Sequence, residues 1–284
     1  VQWIEQKTGK SVFGVHPQYR DIAIESEDSV VIENPAGVSP ENLVEPAIAV
    51  IRIPHISNFT DFDPLSGLDD LNLYFIEKLQ TLDRFKAVIL PGSKNTRFDL
   101  QWLVDHGWAD EISRYNKGGG HVLGICGGFQ MMGRCVHDPD GLEGAPGTTP
   151  GLSLLPVETI LQTPKTTSLT QFAWEKDIGR GSEIHMGRTE RYKGRPLFQV
   201  LEQNGIACQK EDGCVAENSR SVGTYVHGLF DTPAIAGKWL RMIGLDQIEI
   251  SKLHGPAARD RDFDRLAAHF EKHVDTQRIA MLTL

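Results

Sequence analysis

The stretch HVLGICGGFQMMG, residues 121–133, sets one cysteine among glycines where an apolar run gives way to a helical pattern. Residues 124–128 fit G-x-C-x-G, the thiol form of the nucleophile elbow, in which a strand turns sharply into a helix and the reactive residue takes strained backbone angles. Amides at the start of that helix favour a thiolate and can hold an oxyanion. We predict that Cys126 is a nucleophile and that the Gly127 amide is an oxyanion donor.

The alternative for Cys126 is a small buried residue in a tight turn, which is the usual state of a free cysteine. Glycines on both sides, in a strand–turn–helix context, favour the nucleophile. The other cysteines, Cys135, Cys208 and Cys214, are predicted to be core residues, with Cys135 inside the helix that follows the elbow. Four cysteines without CxxC spacing indicate neither a zinc ribbon nor a disulfide framework, and we expect a reducing, cytoplasmic compartment.

Short β-branched runs alternate with helical patterns along the first half of the chain, which is typical of a parallel sheet covered by helices. The runs are residues 11–15, 47–53, 71–76, 86–91 and 121–125. Residues 97–120 predict a helix across one face of the sheet, ended by the triple glycine at 118–120. Shorter strand patterns in the second half predict an antiparallel extension of the sheet, followed by closing helices over 232–245 and 262–274.

The acidic, proline-containing segment 24–46 is interpreted as a linker. We expect residues 1–45 to be the tail of a preceding domain plus this linker, residues 46–250 to be the main domain, and residues 251–284 to be a helical segment packed on it. The net charge of −9 leaves no broad basic face, which argues against binding to nucleic acid or to a membrane surface. No apolar run reaches the ~18 residues of a membrane span.

Two further stretches offer partners for Cys126. ILPGSKNT, residues 89–96, ends a predicted strand in small polar residues, and Gly92 is its candidate for a second oxyanion donor; an ordinary turn explains the stretch equally well. YVHGLFD, residues 225–231, places His227 at the end of another strand, where a general base belongs, and His185 is its rival. Histidines and carboxylates lack metal-ligand spacing, so no metal site is predicted.

Taken together, these motifs resemble those of class I glutamine amidotransferases, and within them the amidotransferase domain of the cobyric acid synthase family. The stretches that carry the resemblance are VIRIPHISNFTDFDPL (50–65), LPGSKNT (90–96), the elbow, GLSLLPVET (151–159), EIHMGRT (183–189) and VGTYVHGLFD (222–231). The resemblance implies a flavodoxin-like three-layer α/β sandwich. It also implies that the segment before residue 46 is the end of an ATP-using synthetase domain.

The resemblance implies that Cys126 attacks the side-chain amide of L-glutamine to give a thioester and ammonia, with His227 shuttling protons. An ATP- and magnesium-dependent synthetase domain would use this ammonia to amidate a corrinoid, adenosylcobyrinic acid a,c-diamide. Since G-x-x-x-x-G-K-[ST] occurs nowhere in the chain, we expect no cofactor in it. For glutamine binding, Gln130 matches a family position and Arg188 offers a carboxylate contact; a solvated helix residue and a surface ion pair are the alternatives.

One departure concerns the acid that usually completes the triad. Typical class I members carry a glutamate two residues after the histidine, where this chain has Leu229. Glu183 is a possible substitute. Within this fold the alternatives are an amidotransferase subunit that serves peptidoglycan precursor amidation and a catalytically silent binding module. The presence of both Cys126 and His227 argues against the silent module.

Overall fold

The computed structural model of the chain describes residues 1–17, 42–250 and 255–282. The chain divides into two compact units, one made of Val1–Glu27 with Leu253–Leu284 and one spanning Asp28–Lys252. The predicted linker over 24–46 lies mostly outside the described residues. The boundaries that we predicted at residues 45 and 250 stay predictions.

Within the described residues, the strands are β1 (Ala47–Ile51), β2 (Ile56–Ser57), β3 (Asn72–Ile76), β4 (Ala87–Leu90), β5 (Gly92–Ser93), β6 (His121–Ile125), β7 (Cys135–Asp138), β8 (Gly147–Pro150), β9 (Val157–Ile160), β10 (Thr166–Trp174), β11 (Asp177–His185), β12 (Arg188–Arg191), β13 (Phe198–Gln203), β14 (Ile206–Asp212), β15 (Cys214–Val215), β16 (Ser221–Thr224) and β17 (Val226–His227). The helices are α1 (Gln2–Thr8), α2 (Asp63–Ser66), α3 (Thr96–Asp105), α4 (Trp108–Lys117), α5 (Gly127–Met131), α6 (Pro233–Met242), α7 (Pro256–His273) and α8 (Thr276–Ala280). A 3₁₀ turn covers Phe59–Phe62.

A six-stranded sheet in the order β15-β16-β6-β4-β1-β3 lies at the centre of the larger unit. Every neighbouring pair in it is parallel except β15 and β16. Strands β1 and β4 are buried along their whole length, as expected for strands that are covered on both faces. The predicted parallel sheet is therefore confirmed. Its strands β4, β6 and β16 deliver the following segments of chain to one edge of the sheet.

Most strands of the second half form two sheets separate from the central one. Only β15 and β16 join the central sheet, and β15 is its antiparallel strand. Five strands form an antiparallel sheet in the order β14-β13-β10-β11-β17, and four form a mixed sheet in the order β12-β9-β7-β8, in which β7 and β9 are parallel. Strand β10 alternates between buried and exposed positions, which suits a sheet covered on one face. Cys135 begins β7 and not a helical turn, because Arg134 N–H donates to the Val157 carbonyl and draws the chain into the four-stranded sheet.

The helix predicted over residues 97–120 is two helices, α3 and α4. The chain breaks at Gly107, whose φ of 77° is a left-handed conformation that suits glycine. Leu100, Leu103 and Trp108 are fully buried, so both helices cover the sheet as expected. The end of α4 at Lys117, before the triple glycine, is confirmed.

The smaller unit joins α1, α7 and α8 to the N-terminal segment. The run predicted as a strand at residues 11–15 makes only one isolated bridge, between Gly14 and Val274, and Asp275 N–H donates to the Phe13 carbonyl. This run therefore pairs with the C-terminal segment and not with a sheet strand. Helix α7 begins at Pro256, earlier than predicted, and proline suits the first turn of a helix. No helix among the described residues is long and apolar enough to cross a membrane.

Candidate active site

Cys126 lies between β6 and α5, at the carboxyl edge of the central sheet. Its φ of 52° and ψ of −108° are values that a residue with a side chain rarely adopts, at a cost on the order of 1–3 kcal/mol. Cys126 N–H donates to the Thr224 carbonyl at 2.8 Å and ties the turn to β16. The residue is buried, and its Sγ donates to the Ile184 carbonyl at 3.5 Å. The predicted strand–turn–helix geometry is confirmed.

Two glycines make room for the turn at Cys126. A Cβ added to Gly128 would lie 2.0 Å from the Leu90 carbonyl oxygen, a distance that real Cβ atoms essentially never show. A Cβ on Gly124 would lie 2.6 Å from Met132 Sδ. The elbow therefore requires glycine at both positions, because α5 packs directly on the end of β4.

The two predicted oxyanion donors, Gly127 and Gly92, border the site from two different segments of the chain. Gly127 is the first residue of α5, so the helix itself does not use its amide. A Cβ on Gly127 would lie 2.8 Å from Ser93 N, which shows how closely β5 approaches the elbow. Gly92 precedes Ser93 in β5, and a Cβ on it would lie 3.1 Å from His227 Cε1. Both glycines are therefore at the site, and their role as donors stays a prediction.

His227 ends β17 and reaches the same edge of the sheet from the five-stranded layer. Burial alone would lower the pKa of this imidazole, but hydrogen bonds and charges from Asp61 and Cys126 outweigh that effect and raise the pKa to about 10. Because Cys126 contributes to this raised pKa, its side chain lies close to the imidazole, as proton transfer between a thiol and an imidazole requires. The structure thus pairs the two residues that the sequence singled out.

Asp61 is the residue at this site that the sequence analysis missed. It is 3% exposed, and its Oδ2 lies 2.7 Å from His227 Nδ1, while its Oδ1 accepts the Gly228 N–H at 2.8 Å. Asn58, with a left-handed φ of 55°, starts the same loop, and its side-chain nitrogen lies 2.9 Å from His227 Nε2. The position of Asp61 between Phe59 and Phe62 indicates in the sequence that its carboxylate is buried. It does not indicate that His227 is its partner.

Glu183, the possible third member of the triad, does not lie next to His227 Nδ1. Alternate residues of a strand face opposite sides of the sheet. In the register of β11 with β17, Ser182 is opposite His227, whereas Glu183 is opposite Val226. Its side chain therefore points to the face away from the imidazole, and Asp61 takes the position next to Nδ1.

Glu183 and His185 belong to a buried polar cluster on that other face. The Glu183 carboxylate accepts hydrogen bonds from Thr170 Oγ1 at 3.0 Å and from Gln203 Nε2 at 3.1 Å. His185, the rival general base, stacks on Tyr225 with ring centroids 3.7 Å apart and lies 3.6 Å from a Glu183 oxygen. No three His, Cys, Asp or Glu side chains within the described ranges gather as metal ligands would.

Gln130 is buried in α5, and its side-chain amide binds protein groups. Oε1 accepts from Thr96 Oγ1 at 3.0 Å, and Nε2 donates to the Met186 carbonyl at 2.9 Å and to the Tyr225 hydroxyl at 3.1 Å. The amide thus holds the segment after β11 against the elbow helix, and direct contact with glutamine stays a prediction. Arg188 is exposed on β12, and in the part of the chain that the structure describes no hydrogen bond or ion pair joins it to the nucleophile or the histidine.

A thiol on a strained turn after a parallel strand, close to a buried histidine from a second sheet, is typical of class I glutamine amidotransferases. Comparison with known families leads to the same class. The chain belongs to the CobB/CobQ-like glutamine amidotransferase domain family, whose model matches residues 47–235. This range holds Cys126, His227 and Asp61.

The chain is similar to cobyric acid synthases from several bacteria. It is 40% identical over 289 residues to that of Chlorobaculum tepidum, covering 98% of this chain and 56% of the relative. It is 38% identical over 298 residues to that of Syntrophobacter fumaroxidans, covering 98% of this chain and 58% of the relative. The chain therefore spans little more than half the length of these relatives. Among solved structures, PurLQS from Thermotoga maritima shares the fold with a TM-score of 0.51 and 15% identity, over 72% of this chain and 97% of that one.

Proposed function

We propose that this chain hydrolyses L-glutamine and supplies the ammonia to an ATP-dependent amidation in cobalamin biosynthesis. The observation that carries the proposal is the pairing of Cys126 with His227 at the elbow of a CobB/CobQ-like domain. Similarity to cobyric acid synthases along 98% of the chain supports adenosylcobyrinic acid a,c-diamide as the acceptor. We assign ATP, magnesium and the corrinoid to a synthetase domain, since the chain contains no P-loop pattern.

The proposed reaction uses the two side chains in turn. The thiol proton of Cys126 passes to His227, and the thiolate attacks the side-chain carbonyl carbon of glutamine. The oxyanion that forms is stabilised by the amides of Gly127 and Gly92. His227 returns the proton to the departing nitrogen, which leaves as ammonia, and a γ-glutamyl thioester remains on Cys126. Water then attacks the thioester with His227 as the base, and glutamate is released.

The burial of both side chains suits this chemistry. Cys126 and His227 are 5% and 4% exposed, so little water reaches either side chain. Few water molecules therefore compete with glutamine for contact with the thiolate, or with ammonia for hydrogen bonding to the imidazole. The raised pKa of His227, about 10, favours transfer of the thiol proton to the imidazole near neutral pH, and the imidazolium can then deliver this proton to the leaving group.

The proposal is tested by joining this chain to the synthetase domain of a cobyric acid synthase. The assay supplies ATP, Mg²⁺, the corrinoid diamide and either L-glutamine or ammonium chloride as the nitrogen source. Cys126→Ala should abolish amidation from glutamine and leave amidation from ammonium unchanged. Cys135→Ala removes a half-buried thiol from β7 and should leave both activities intact.

Two results would contradict the proposal. Glutamine-dependent amidation by Cys126→Ala would show that another group releases the ammonia. Absence of corrinoid amidation by the unmodified protein with either nitrogen source would show that the acceptor is wrong.

A further inference from the structure

The position that normally orients the histidine carries no acid in this chain. Leu229, two residues after His227, is 1% exposed and belongs to the apolar core. A buried imidazole with an unfixed ring can present either nitrogen to the nucleophile, and only one of the two tautomers can accept the thiol proton at Nε2. Some other group must therefore hold Nδ1.

Asp61 contacts Nδ1 from a loop that lies 166 residues earlier in the chain. Its carboxylate is anchored at both oxygens: Oδ2 faces Nδ1 at 2.7 Å, and Oδ1 accepts the Gly228 N–H at 2.8 Å. The second contact fixes the carboxylate to the residue next to the histidine. The carboxylate and the ring therefore keep one relative orientation.

The burial of Asp61 indicates a charge partner. The residue is 3% exposed, and among the described residues its ion pair is with His227 alone. An uncompensated carboxylate at such a depth costs several kcal/mol, whereas a protonated imidazole 2.7 Å away compensates it. The loop that carries Asp61 thus contributes a charge that is useful only when His227 bears a proton.

We propose that Asp61 is the positioning residue for His227, and this inference rests on the glutamine hydrolysis proposed above. Asp61 accepts a hydrogen bond from Nδ1–H, and this contact directs Nε2 to Cys126. Asp61 also stabilises the imidazolium that forms when His227 takes the thiol proton. Asp61 stays ionised throughout: the proton moves from Cys126 Sγ to Nε2 and then to the departing ammonia. The physical logic is that of a Ser-His-Asp triad, with a thiol as the nucleophile.

The Asn58 side chain secures the same ring from a second direction. Its nitrogen lies 3.0 Å from Nδ1 and 2.9 Å from Nε2, so the amide is close to both ring nitrogens. Asn58 and Asp61 are joined by a backbone hydrogen bond from Asp61 N–H to the Asn58 carbonyl at 3.0 Å. One short loop, held in a left-handed turn at Asn58, therefore sets the imidazole.

The test compares Asp61→Asn with Asp61→Glu and with the control Asp70→Asn. Asp70 is an exposed aspartate that follows the same loop in the chain. Its change to asparagine also removes one negative charge, but from the surface. The readouts are kcat and KM for glutamine hydrolysis between pH 6 and 10, and the ¹⁵N chemical shifts of the His227 ring. Asparagine preserves the shape of aspartate, but its N–H favours the wrong tautomer of the ring.

Asp61→Asn should lower kcat about 100- to 10,000-fold with little change in KM, since the loss is in proton transfer. The pKa of His227 should fall toward its ordinary value of about 6.5. Asp61→Glu, which keeps the charge, should recover at least about tenfold of the lost kcat, and Asp70→Asn should match the unmodified protein.

Unchanged kcat, pH profile and His227 titration in Asp61→Asn would overturn the inference and leave the proposed function standing. Absence of glutamine hydrolysis in the unmodified protein would instead count against the proposed function. If Asp61→Asn does not fold, the ¹⁵N shifts of His227 in the unmodified protein provide the test, because the inference requires a proton on Nδ1 throughout pH 6–9. A ring with Nδ1 unprotonated in that range would overturn it.

Discussion

The nucleophile side of the site lies within one short stretch of chain, whereas the histidine side is assembled from distant segments. Cys126 and the two glycines that shape its turn fall within residues 124–128. His227, in contrast, is held by a loop 166 residues earlier and by the register of β11 with β17. Local geometry can be recognised in a sequence motif. A contact between distant segments depends on how the sheets pack.

The strongest way to break the nucleophile side is Gly128→Ala. The new Cβ would lie 2.0 Å from the Leu90 carbonyl oxygen, so α5 must move away from β4 and carry Cys126 with it. A misplacement of about 1 Å at the reacting atom can cost ~100-fold, so glutamine hydrolysis should fall by at least about that factor. The free energy of unfolding should also fall by about 1–3 kcal/mol. Initial rates of glutamate release and urea denaturation measure the two effects.

Gly67→Ala is the matched control. Its Cβ would have its nearest neighbour 3.6 Å away, an ordinary contact, and its backbone is not left-handed. Activity and stability should stay near those of the unmodified protein. Equal rates for Gly128→Ala and Gly67→Ala would show that close packing of α5 on β4 is not what places the thiol.

The histidine side can be tested through the pH dependence of stability. The pKa of His227 is raised to about 10 from an ordinary value of 6.5, mainly by Asp61 and Cys126 acting against burial. A raised pKa means that the stabilising interaction is fully present below pH 6.5 and is lost as the pH rises through 10. The Tm of the unmodified protein should therefore exceed that of His227→Gln most at pH 6, and the difference should shrink by several degrees at pH 10. About 1 kcal/mol corresponds to ~2–4 °C in a domain of this size.

Differential scanning fluorimetry of both proteins from pH 6 to pH 10 measures this difference. Titrating groups that do not contact His227 behave alike in the two proteins, so their contributions cancel. A Tm difference that is constant over this range would show that the imidazole is not held as a cation.

The last test concerns stability and addresses Gln130, which links the two sides. Its amide makes three hydrogen bonds in a buried position, so Gln130→Ala should lower the free energy of unfolding by about 2–4 kcal/mol. Gln101, on the exposed face of α3, bonds only its helix neighbour Asp105 among the described contacts, and Gln101→Ala should change stability by less than about 0.5 kcal/mol. Urea midpoints measure both. Similar losses for the two variants would remove Gln130 from this linking role.

The same contrast explains how much of the molecule the sequence could predict. Parallel strands and the elbow were predictable, because each depends on the pattern of one continuous stretch of residues. The break between α3 and α4 was missed, because a single glycine is tolerated inside a helical pattern, whereas Gly107 takes a left-handed φ of 77° in the structure. Residues 11–15 have a strand-like composition, but tertiary packing pairs them with the segment around Val274.

At the site, the sequence indicated Cys126 and His227 but offered Glu183, and not Asp61, as a possible acid. Glu183 lies close to the histidine in the fold, yet strand register turns its side chain to the opposite face. Asp61 lies in a stretch of the sequence that carries the family resemblance, but nothing in that stretch indicates that it contacts His227. The acid of a triad is set by long-range packing, and it becomes visible only when both segments are placed.

The most direct test of the central claim, a reactive Cys126 in a formed glutamine site, is labelling with a glutamine-like diazo-ketone followed by intact-mass analysis and peptide mapping. We predict one label per chain, on Cys126, suppressed by excess L-glutamine and absent in Cys126→Ala. The buried Cys214, whose pKa is raised to about 11 by burial, should stay unmodified. Labelling on another cysteine, or labelling of Cys126 that glutamine does not suppress, would contradict the account.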